Sequence, residues 1–311
     1  MSTYPKISII TTTYRHRDYI IDTIKGILIQ QYKGSLEYII ANDQSPDDTD
    51  SIVQNFLSQQ TIPENIEIKY TCHAKNLGMI NNFLWAAKQC TGDYIALCEG
   101  DDYWIDPLKL QKQADFLEQN KDYGLIHSNY HELQQKTGKF KDHAAYINKE
   151  HSEEFDYYVK SGDLRTCTVM FRATYLEKMH DLFRQEFMKN AIIGDRPGFL
   201  AIGRYSKMKY DPEITSVYRI TSENSASHFS DLYQYYDYLF EVNVLNKELY
   251  AYLNIEHTQQ KDFMKFYKVV NLSRKSIFLS FFQLLFSGLG WKYFQQFKSL
   301  ALFRLRKPSR K

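Results

Sequence analysis

The chain carries at residues 92–102 the stretch Gly92-Asp93-Tyr94-Ile95-Ala96-Leu97-Cys98-Glu99-Gly100-Asp101-Asp102. Its apolar part is typical of a buried strand, and the carboxylates that follow would then lie at one edge of a sheet. Such hard oxygen ligands suit Mg²⁺ or Mn²⁺, which take one or two protein carboxylates and complete their shell with water and phosphate oxygens. A solvated acidic turn explains the same residues, so the neighbouring elements decide between these interpretations.

Strand and helix patterns alternate through the first hundred residues. β-Branched or alternating apolar runs predict strands, and apolar residues at helical spacing predict the helices between them. The predicted strands lie at 7–13, 36–41, 66–70 and 93–98, and the helices at 18–31, after 48, and at 79–90. This order predicts an α/β fold with a mostly parallel sheet flanked by helices. Because ligands bind outside the carboxyl ends of such strands, we expect the loops at 11–15, 42–45 and 99–102 to meet there.

Charge is unevenly distributed along the 311 residues, whose formal net charge is +2. Residues 1–262 hold 28 basic and 37 acidic side chains, a net of −9, whereas the remainder holds eleven basic side chains and no acidic one. The hydrophobic content of 43% is that of an ordinary globular chain. The four cysteines show no C-x-x-C spacing and Met1 leads quickly into a predicted strand. We therefore expect a reducing, cytoplasmic setting without zinc.

The basic C-terminal region includes an uncharged run from Ser276 to Trp291. Its 16 residues are fewer than the roughly 20 that a membrane-spanning helix needs. Two interpretations are open: a helix packed on the body of the protein, or an interfacial anchor for an anionic membrane surface. We favour the anchor and a peripheral position on the inner face of the cell membrane. Nucleic acid is not an expected partner, because the basic residues belong to no recognisable nucleic-acid fold.

Four motifs stand in one order along the first part of the chain. They are Ile9-Ile10-Thr11-Thr12-Thr13-Tyr14-Arg15, Asn42-Asp43-Gln44-Ser45, Asn76-Leu77-Gly78 and the opening stretch at 92–102. In this order they resemble the family 2 glycosyltransferases, nucleotide-sugar-dependent enzymes with the GT-A fold. The likeness covers about residues 5–225. The positions that depart from the family pattern are Thr12, Arg15, Asn42 and Glu99.

The resemblance implies a division of the chain. Residues 1–228 would form the GT-A domain, with a nucleotide-binding half at 1–106 and an acceptor-binding half at 107–228. Residues 229–311 would form a helical, basic extension that associates with the membrane. Further short strands are predicted near 123–131, 166–171 and 214–219, and a helical region from about 230 to 270.

The resemblance also implies roles for side chains around the donor. Asp43 would contact the uracil, Glu99 the ribose, and Asp101 the metal ion that bridges the diphosphate. The nucleotide-sugar-binding residues implied in full are Thr12, Thr13, Tyr14, Asp43, Asn76, Glu99 and Asp102. The implied ligands of the Mg²⁺ or Mn²⁺ cofactor are Asp101, Glu99 and His228. A lone histidine is more often a satisfied surface or core residue, so both interpretations of His228 are open.

The acceptor side centres on Asp195 in Gly194-Asp195-Arg196-Pro197-Gly198-Phe199-Leu200. This segment resembles the family's G-D-x-P-x-F-L, whose aspartate is the general base of an inverting transfer. An N-cap before Pro197 explains the same aspartate. Trp104, Arg196 and Arg219 would contact the acceptor or a phosphate, although packing in the core is the favoured interpretation of Trp104.

The sequence thus predicts an inverting, metal-dependent glycosyltransferase of the bacterial surface-polysaccharide type. A UDP-sugar would donate a hexosyl or N-acetylhexosaminyl group to a hydroxyl of a glycan or lipid-linked oligosaccharide. One alternative is a nucleotidyltransferase, which would be expected to open with a Gly-rich phosphate loop, and residues 9–17 contain no glycine. Another is a non-catalytic, membrane-bound assembly subunit with the same fold. The transferred sugar, the acceptor and the linkage depend on loop shapes in residues 130–230.

Overall fold

The computed structural model of the chain describes residues 4–142, 154–161, 164–221, 232–256, 260–285, 287–289 and 291–306. These residues form two compact units. The first holds the described residues of 1–189 and 194–225, and the second holds those of 190–193 and 226–311. The domain boundary predicted at 228 lies outside the described residues and stays a prediction, as does the division at 106.

The described part of the first unit contains one mixed sheet of nine strands. They are β1 (Ile7–Thr13), β2 (Leu36–Asn42), β3 (Ile66–Cys72), β4 (Tyr94–Leu97), β5 (Tyr103–Trp104), β6 (Tyr123–Gln134), β7 (Lys139–Asp142), β8 (Val169–Arg172) and β9 (Lys207–Ile220). Their order is β3-β2-β1-β4-β8-β6-β9-β5, with β7 paired to β6. The first four strands are parallel, β8 runs antiparallel to both β4 and β6, and β9 is parallel to β6.

Seven helices accompany this sheet in the described residues of the first unit. They are α1 (Ile20–Leu28), α2 (Thr49–Gln59), α3 (Met79–Lys88), α4 (Lys109–Gln119), α5 (Phe155–Ser161), α6 (Leu176–Phe183) and α7 (Asp195–Gly203). Every residue of β2 and β4 is buried, as expected for parallel strands covered on both faces. The predicted α/β class, a mostly parallel sheet flanked by helices, is confirmed.

One predicted strand is shorter than expected. The run from Thr166 to Phe171 was expected to be extended throughout, yet Thr166–Thr168 forms a 3-10 turn and β8 begins at Val169. The Thr168 hydroxyl donates a hydrogen bond to the Arg165 carbonyl oxygen at 2.7 Å, a local bond that competes with pairing to a neighbouring strand. The turn places Arg165 and Thr166 just before the strand that lies beside β4.

A buried carboxylate ties together the amino ends of the parallel strands. Glu37 on β2 accepts hydrogen bonds from Lys69 Nζ at 2.6 Å, Ser8 Oγ at 2.6 Å and the Thr91 backbone N–H at 2.8 Å. Burial alone would raise the pKa of Glu37, but these hydrogen bonds outweigh it and lower the value to about 2. The polar groups at this edge of the sheet therefore satisfy one another.

From residue 232 onward, the described part of the second unit is mostly helical. Its helices are α8 (Leu232–Tyr252), α9 (Gln260–Lys275), α10 (Ile277–Leu285) and α11 (Trp291–Arg306). Apolar side chains from all four helices meet in one cluster, which includes Tyr236, Phe266, Val270, Leu284 and Phe297. Among the described residues, none of the helices combines the length and the apolar character needed to cross a membrane.

The buried imidazole of His127 on β6 makes stability depend on pH. Burial lowers its pKa to about 3, and its Nε2 lies 2.7 Å from the Tyr158 hydroxyl. From about pH 6.5 down to about pH 3 the unfolded chain therefore binds more protons than the folded one. The stability contributed by neutral His127 is complete above this window and is lost as the pH falls through it. We expect a loss of about 2 kcal/mol between pH 7 and pH 5, measured by urea unfolding.

The variant His127→Gln should lose much less stability than the wild type over the same interval, because its side chain does not titrate. His180→Gln, which removes a partly exposed imidazole from α6, is the matched control. An unchanged pH slope in His127→Gln would contradict the assignment.

Candidate active site

Three loops meet at the carboxyl edge of the parallel strands, as the strand order predicts. The Asp43 backbone N–H donates a hydrogen bond to the Thr13 carbonyl oxygen at 2.9 Å. The Gly100 backbone N–H donates one to the Thr12 carbonyl oxygen at 3.0 Å. The Arg15 N–H donates to the Ser45 hydroxyl at 3.0 Å. The ends of β1, β2 and β4 therefore form one continuous rim.

The acidic loop after β4 brings three carboxylates together. Glu99, Asp101 and Asp102 each have one carboxylate oxygen that lies within 4.8 Å of such an oxygen of the other two residues. Burial, followed by the nearby carboxylates of Asp101, Asp195 and Asp102, raises the pKa of Glu99 well above its usual value. Burial and the Asp101 carboxylate likewise raise the pKa of Asp102. Burial and like charges therefore disfavour the ionised forms of Glu99 and Asp102.

A divalent cation fits this cluster. Asp102 Oδ2 is buried and has no hydrogen-bond partner among the described residues, and an unpaired buried oxygen is costly. Carboxylate oxygens are the ligands that Mg²⁺ and Mn²⁺ prefer. Asp102 was expected to bind the nucleotide sugar and not the metal, so its nearness to Asp101 and Glu99 adds a candidate ligand that the sequence did not indicate.

A buried arginine on β9 holds the acidic loop in place. The Arg219 backbone N–H donates to Asp102 Oδ1 at 2.8 Å, and its Nη1 donates to the Asp101 carbonyl oxygen at 3.0 Å. Its Nη2 pairs with Asp22 on α1, and its guanidinium lies 4.5 Å from the centre of the Tyr103 ring. Arg219 is 6% exposed, so its side chain supports the loop from behind, and its expected contact with the acceptor or a phosphate stays a prediction.

Gly100 permits a close approach between the acidic loop and the end of β1. A Cβ atom at this position would lie 2.6 Å from Thr13 Oγ1 and 2.8 Å from His16 Nδ1, distances too short for any side chain. His16 Nε2 in turn lies 3.8 Å from Asp101 Oδ2. No motif pointed to His16, because its position beside Asp101 depends on how the loop turns after β1.

Asp43 and Asn76 are brought together at the start of α3. The Asp43 carboxylate accepts the backbone N–H groups of Leu77 at 2.6 Å and Gly78 at 2.9 Å. Asn76 Nδ2 donates to the Asp43 carbonyl oxygen at 3.0 Å. Asp43 is 4% exposed, so it shapes the loop before α3, and its expected contact with a nucleobase stays a prediction.

Backbone strain is concentrated at the same rim. Gln44 has a φ of 54°, and Arg15 has a φ of 62°. Both are in the left-handed region, which is costly for residues other than glycine. The Gln44 side chain bridges the rim by donating to the Ala74 carbonyl oxygen at 3.0 Å and accepting from the Asn76 N–H at 2.9 Å. Strain of this kind clusters at functional sites.

Asp195 is the first residue of α7, and Gly194 is the N-cap. The alternative interpretation of Asp195 as an N-cap is therefore wrong. Its Oδ2 accepts a hydrogen bond from the Thr166 hydroxyl at 3.1 Å, and its Oδ1 accepts the Arg196 N–H at 2.8 Å. The side chain of Asp195 is exposed. Asp195 is thus an accessible carboxylate close enough to raise the pKa of Glu99.

The remaining predicted side chains lie in different surroundings. Trp104 is 1% exposed, and its Nε1 donates to the Cys167 carbonyl oxygen at 2.7 Å. The expected acceptor contact of Trp104 is therefore wrong, and it is a core residue. Arg196 Nη2 donates to the Val159 carbonyl oxygen at 2.7 Å, and its acceptor or phosphate contact stays a prediction. Tyr14 is exposed at the rim, whereas His228 lies outside the described residues.

Arg165 and Thr166 lie close to the carboxylates of the site. Thr166 bonds Asp195, and Arg165 beside it has charge coupling to both Glu99 and Asp195. Thr166 begins one of the predicted short strands, whereas no motif contains Arg165. The antiparallel pairing of β8 with β4, in which Met170 lies opposite Ala96, brings the residues before β8 to the acidic end of β4. That pairing is not visible in the local sequence pattern.

Comparison with known proteins agrees with this geometry. The model of a family described as "Glycosyl transferase family 2" matches residues 8–205, which is more than half of the chain. The chain therefore belongs to the family 2 glycosyltransferases, as the motifs in its first hundred residues predicted.

Individual relatives match over shorter stretches. WfaP of Escherichia coli, named as a UDP-Glc:alpha-D-GlcNAc-diphosphoundecaprenol beta-1,3-glucosyltransferase, is 34% identical over 126 residues, which are 40% of this chain and 46% of WfaP. TuaG of Bacillus subtilis, assigned to teichuronic acid biosynthesis, is 34% identical over 113 residues, 36% of this chain and 42% of TuaG. The chain spans less than half of the length of the curated relatives it matches.

Solved structures share the fold at low sequence identity. TarS from S. aureus in complex with UDP-GlcNAc gives a TM-score of 0.58 at 16% identity and covers 84% of this chain and 71% of its own. The mannosyltransferase PcManGT from Pyrobaculum calidifontis in complex with GDP-Man and Mn²⁺ gives a TM-score of 0.57 at 13% identity. The match covers 99% of this chain and 82% of PcManGT. These likenesses show the fold alone, and they confirm the predicted GT-A architecture.

Removal of the Arg219 guanidinium tests its role behind the acidic loop. We expect Arg219→Met to lower the free energy of unfolding by about 3 kcal/mol, because the carbonyl oxygen of Asp101 and the carboxylate of Asp22 lose a buried cation. Urea unfolding measures this change. The matched control is Arg17→Met, a half-exposed arginine with surface ion pairs, which should cost less than about 1 kcal/mol. Equal losses in the two variants would contradict the supporting role.

Proposed function

We propose that the chain is an inverting glycosyltransferase that moves a hexosyl or N-acetylhexosaminyl group from a UDP-sugar to a hydroxyl of a glycan or lipid-linked oligosaccharide. The observation that carries the proposal is the rim itself, where a metal-competent carboxylate cluster and the accessible Asp195 carboxylate lie close together. The name of WfaP, with a UDP-Glc donor and a diphosphoundecaprenol acceptor, supports a place in surface-polysaccharide synthesis.

Mg²⁺ or Mn²⁺ would be held by Asp101 and Glu99, with the unpaired Asp102 Oδ2 as a further ligand. His228 is retained as a proposed ligand. When bound, such an ion neutralises and orients the diphosphate of the donor. The Mn²⁺ in PcManGT supports this cofactor class.

The nucleotide would lie along the loops that follow β1 and β2. Thr12 and Tyr14 border this part of the rim, and Asp43 and Asn76 shape its floor through the bonds to the loop before α3. Each oxygen of an ionised carboxylate has two lone pairs, so Asp43 can hold the loop and still accept the N–H of a uracil. UDP-GlcNAc in the TarS complex supports a uridine nucleotide.

Asp195 would act as the general base. Its carboxylate takes the proton of the acceptor hydroxyl while that oxygen forms a bond to the anomeric carbon of the donor sugar. The bond from the anomeric carbon to the diphosphate oxygen breaks at the same time, and UDP leaves with the electron pair. Attack from the side opposite the diphosphate inverts the anomeric centre. Thr166 orients the base through Oδ2, and holding both substrates on one rim supplies much of the rate.

Asp195→Asn tests the base. We expect kcat to fall by a factor of about 10² to 10⁴, because the amide cannot take the proton. The dissociation constant of UDP with Mn²⁺ should change by less than about threefold, since Asp195 does not hold the nucleotide. Turnover is read as UDP released from a panel of UDP-sugars, and UDP binding by calorimetry.

The matched control is Asp181→Asn, an exposed carboxylate on α6 that should leave both values unchanged. Full activity of Asp195→Asn would overturn the base assignment. A wild type that binds UDP without turning over any nucleotide sugar would favour the non-catalytic assembly subunit. Release of pyrophosphate from a nucleoside triphosphate would favour the nucleotidyltransferase.

The second unit would hold the protein on the inner, cytoplasmic face of the cell membrane. Four apolar side chains of α10 are 43–56% exposed, namely Leu279, Phe281, Phe282 and Leu285. Exposed cations of the same unit include Lys268 and Lys298, and no acidic residue follows Asp262. An exposed apolar helix among cations suits the interface of an anionic lipid surface, where a lipid-linked acceptor would reside.

The double variant Phe281→Ser/Phe282→Ser tests this attachment. We expect binding to phosphatidylglycerol-containing vesicles to weaken by about tenfold or more, because two aromatic side chains no longer enter the lipid. Co-sedimentation measures the bound fraction, and raised salt should weaken the binding of the wild type. The control is Tyr205→Ser, an exposed aromatic side chain of the first unit. Equal binding of both variants would contradict the proposal.

A further inference from the structure

Arg165 is an arginine held in a fixed position beside the two carboxylates of the proposed reaction. Its Nε donates a hydrogen bond to the Tyr130 hydroxyl at 3.2 Å. Its guanidinium carbon lies 4.7 Å from the centre of the Tyr218 ring and 5.8 Å from that of Tyr130. Two aromatic rings and one hydrogen bond therefore restrict the rotation of the guanidinium before any ligand arrives.

The two terminal nitrogens of Arg165 have no partner within the part of the chain that the structure describes. Among those residues the side chain forms its hydrogen bond through Nε, and Nη1 and Nη2 form neither a hydrogen bond nor an ion pair. By contrast, the terminal nitrogens of Arg172 donate to the Tyr94 hydroxyl and the Leu117 carbonyl oxygen, and those of Arg219 bind the Asp101 carbonyl oxygen and the Asp22 carboxylate. Within the described residues, Arg165 thus presents two donors without a protein partner in a restrained fork.

The position of this fork is set by the residue that follows. Thr166 bonds the Asp195 carboxylate at 3.1 Å, so Arg165 directly precedes the residue that contacts the proposed base. The charge of Arg165 also acts on Glu99 at the end of β4, where it opposes the effect of burial. A cation in this position would attract an anionic ligand to a place where Glu99 and Asp195 alone would repel it.

We propose that Arg165 is a donor-binding residue, whose Nη1 and Nη2 hold two oxygens of one anionic group of the nucleotide sugar. The inference rests on the proposed function and specifies the donor further. Two groups have this chemistry: the diphosphate, and a carboxylate on the transferred sugar, as in a uronic acid. Both are planar or tetrahedral oxyanions that an arginine fork binds with two parallel hydrogen bonds.

Arg165→Met and Arg165→Lys, compared with the wild type, test the proposal. Arg165→Lys keeps the positive charge but removes the planar pair of N–H donors. Thermal melting shows whether Arg165→Met folds, and if it does not, Arg165→Lys decides the test. Arg184→Met removes an exposed arginine at the end of α6 and serves as the matched control. The measurements are the dissociation constant of UDP with Mn²⁺, and kcat/KM for UDP-glucose and UDP-glucuronic acid.

Binding of the diphosphate and binding of a sugar carboxylate lead to different expected results. If the fork holds the diphosphate, UDP binding weakens by about tenfold or more in Arg165→Met and less in Arg165→Lys. If it holds a sugar carboxylate, UDP binding is unchanged and only the preference for UDP-glucuronic acid over UDP-glucose falls by about tenfold. The proposal would be overturned if Arg165→Met changed neither the dissociation constant of UDP nor the preference for UDP-glucuronic acid over UDP-glucose.

The UDP-binding arm needs no turnover, so it remains informative whatever the donor panel shows. A wild type that turns over none of the nucleotide sugars would contradict the proposed function, whereas a working enzyme indifferent to Arg165→Met would contradict only the role of Arg165.

Discussion

The bonds from Arg219 to the acidic loop are the contact on which the site depends. Three carboxylates lie within 4.8 Å of one another at the end of β4, and their mutual repulsion would spread them apart without a compensating charge. Arg219, on a strand more than a hundred residues further along the chain, binds this loop through its backbone N–H and its guanidinium. Because it also pairs with Asp22, it joins the last described strand, the acidic loop and the first helix. The geometry of the acidic loop therefore depends on elements that are distant in the sequence.

The two edges of the sheet show opposite electrostatic designs. At the amino edge, Glu37 receives hydrogen bonds from two strands and a turn, and its pKa is lowered to about 2. At the carboxyl edge, burial and like charges raise the pKa of Glu99 and Asp102, one oxygen of Asp102 is unpaired, and the backbone is strained at Arg15 and Gln44. The polar groups of the amino edge stabilise the fold, whereas the carboxyl edge carries polar groups without protein partners, as is typical of ligand-binding sites.

Sequence reasoning succeeded where local pattern decides the structure. The β-branched and alternating runs identified the parallel strands, and the rule that ligands bind at their carboxyl ends brought Asp43, Glu99 and Asp101 to one rim. The sequence did not predict the positions of side chains that depend on pairing between strands distant in the chain. Arg219 faces inward because β9 lies beside β5, so that Tyr103 is opposite Val217, and Trp104 is buried for the same reason. His16 and Arg165 belong to no motif, since only the turn of a loop or the register of β8 brings them to the site.

The antiparallel strand β8 has a consequence for how donor and acceptor chemistry are coupled. A further parallel strand would have brought its carboxyl end to the rim, but β8 arrives with its amino end, and the turn before it carries Arg165 and Thr166 side by side. Thr166 bonds the proposed base, while the charge of Arg165 acts on Glu99. Since these two residues are neighbours in one turn, the proposed donor contact of Arg165 and the position of the proposed base would be linked through the same backbone segment.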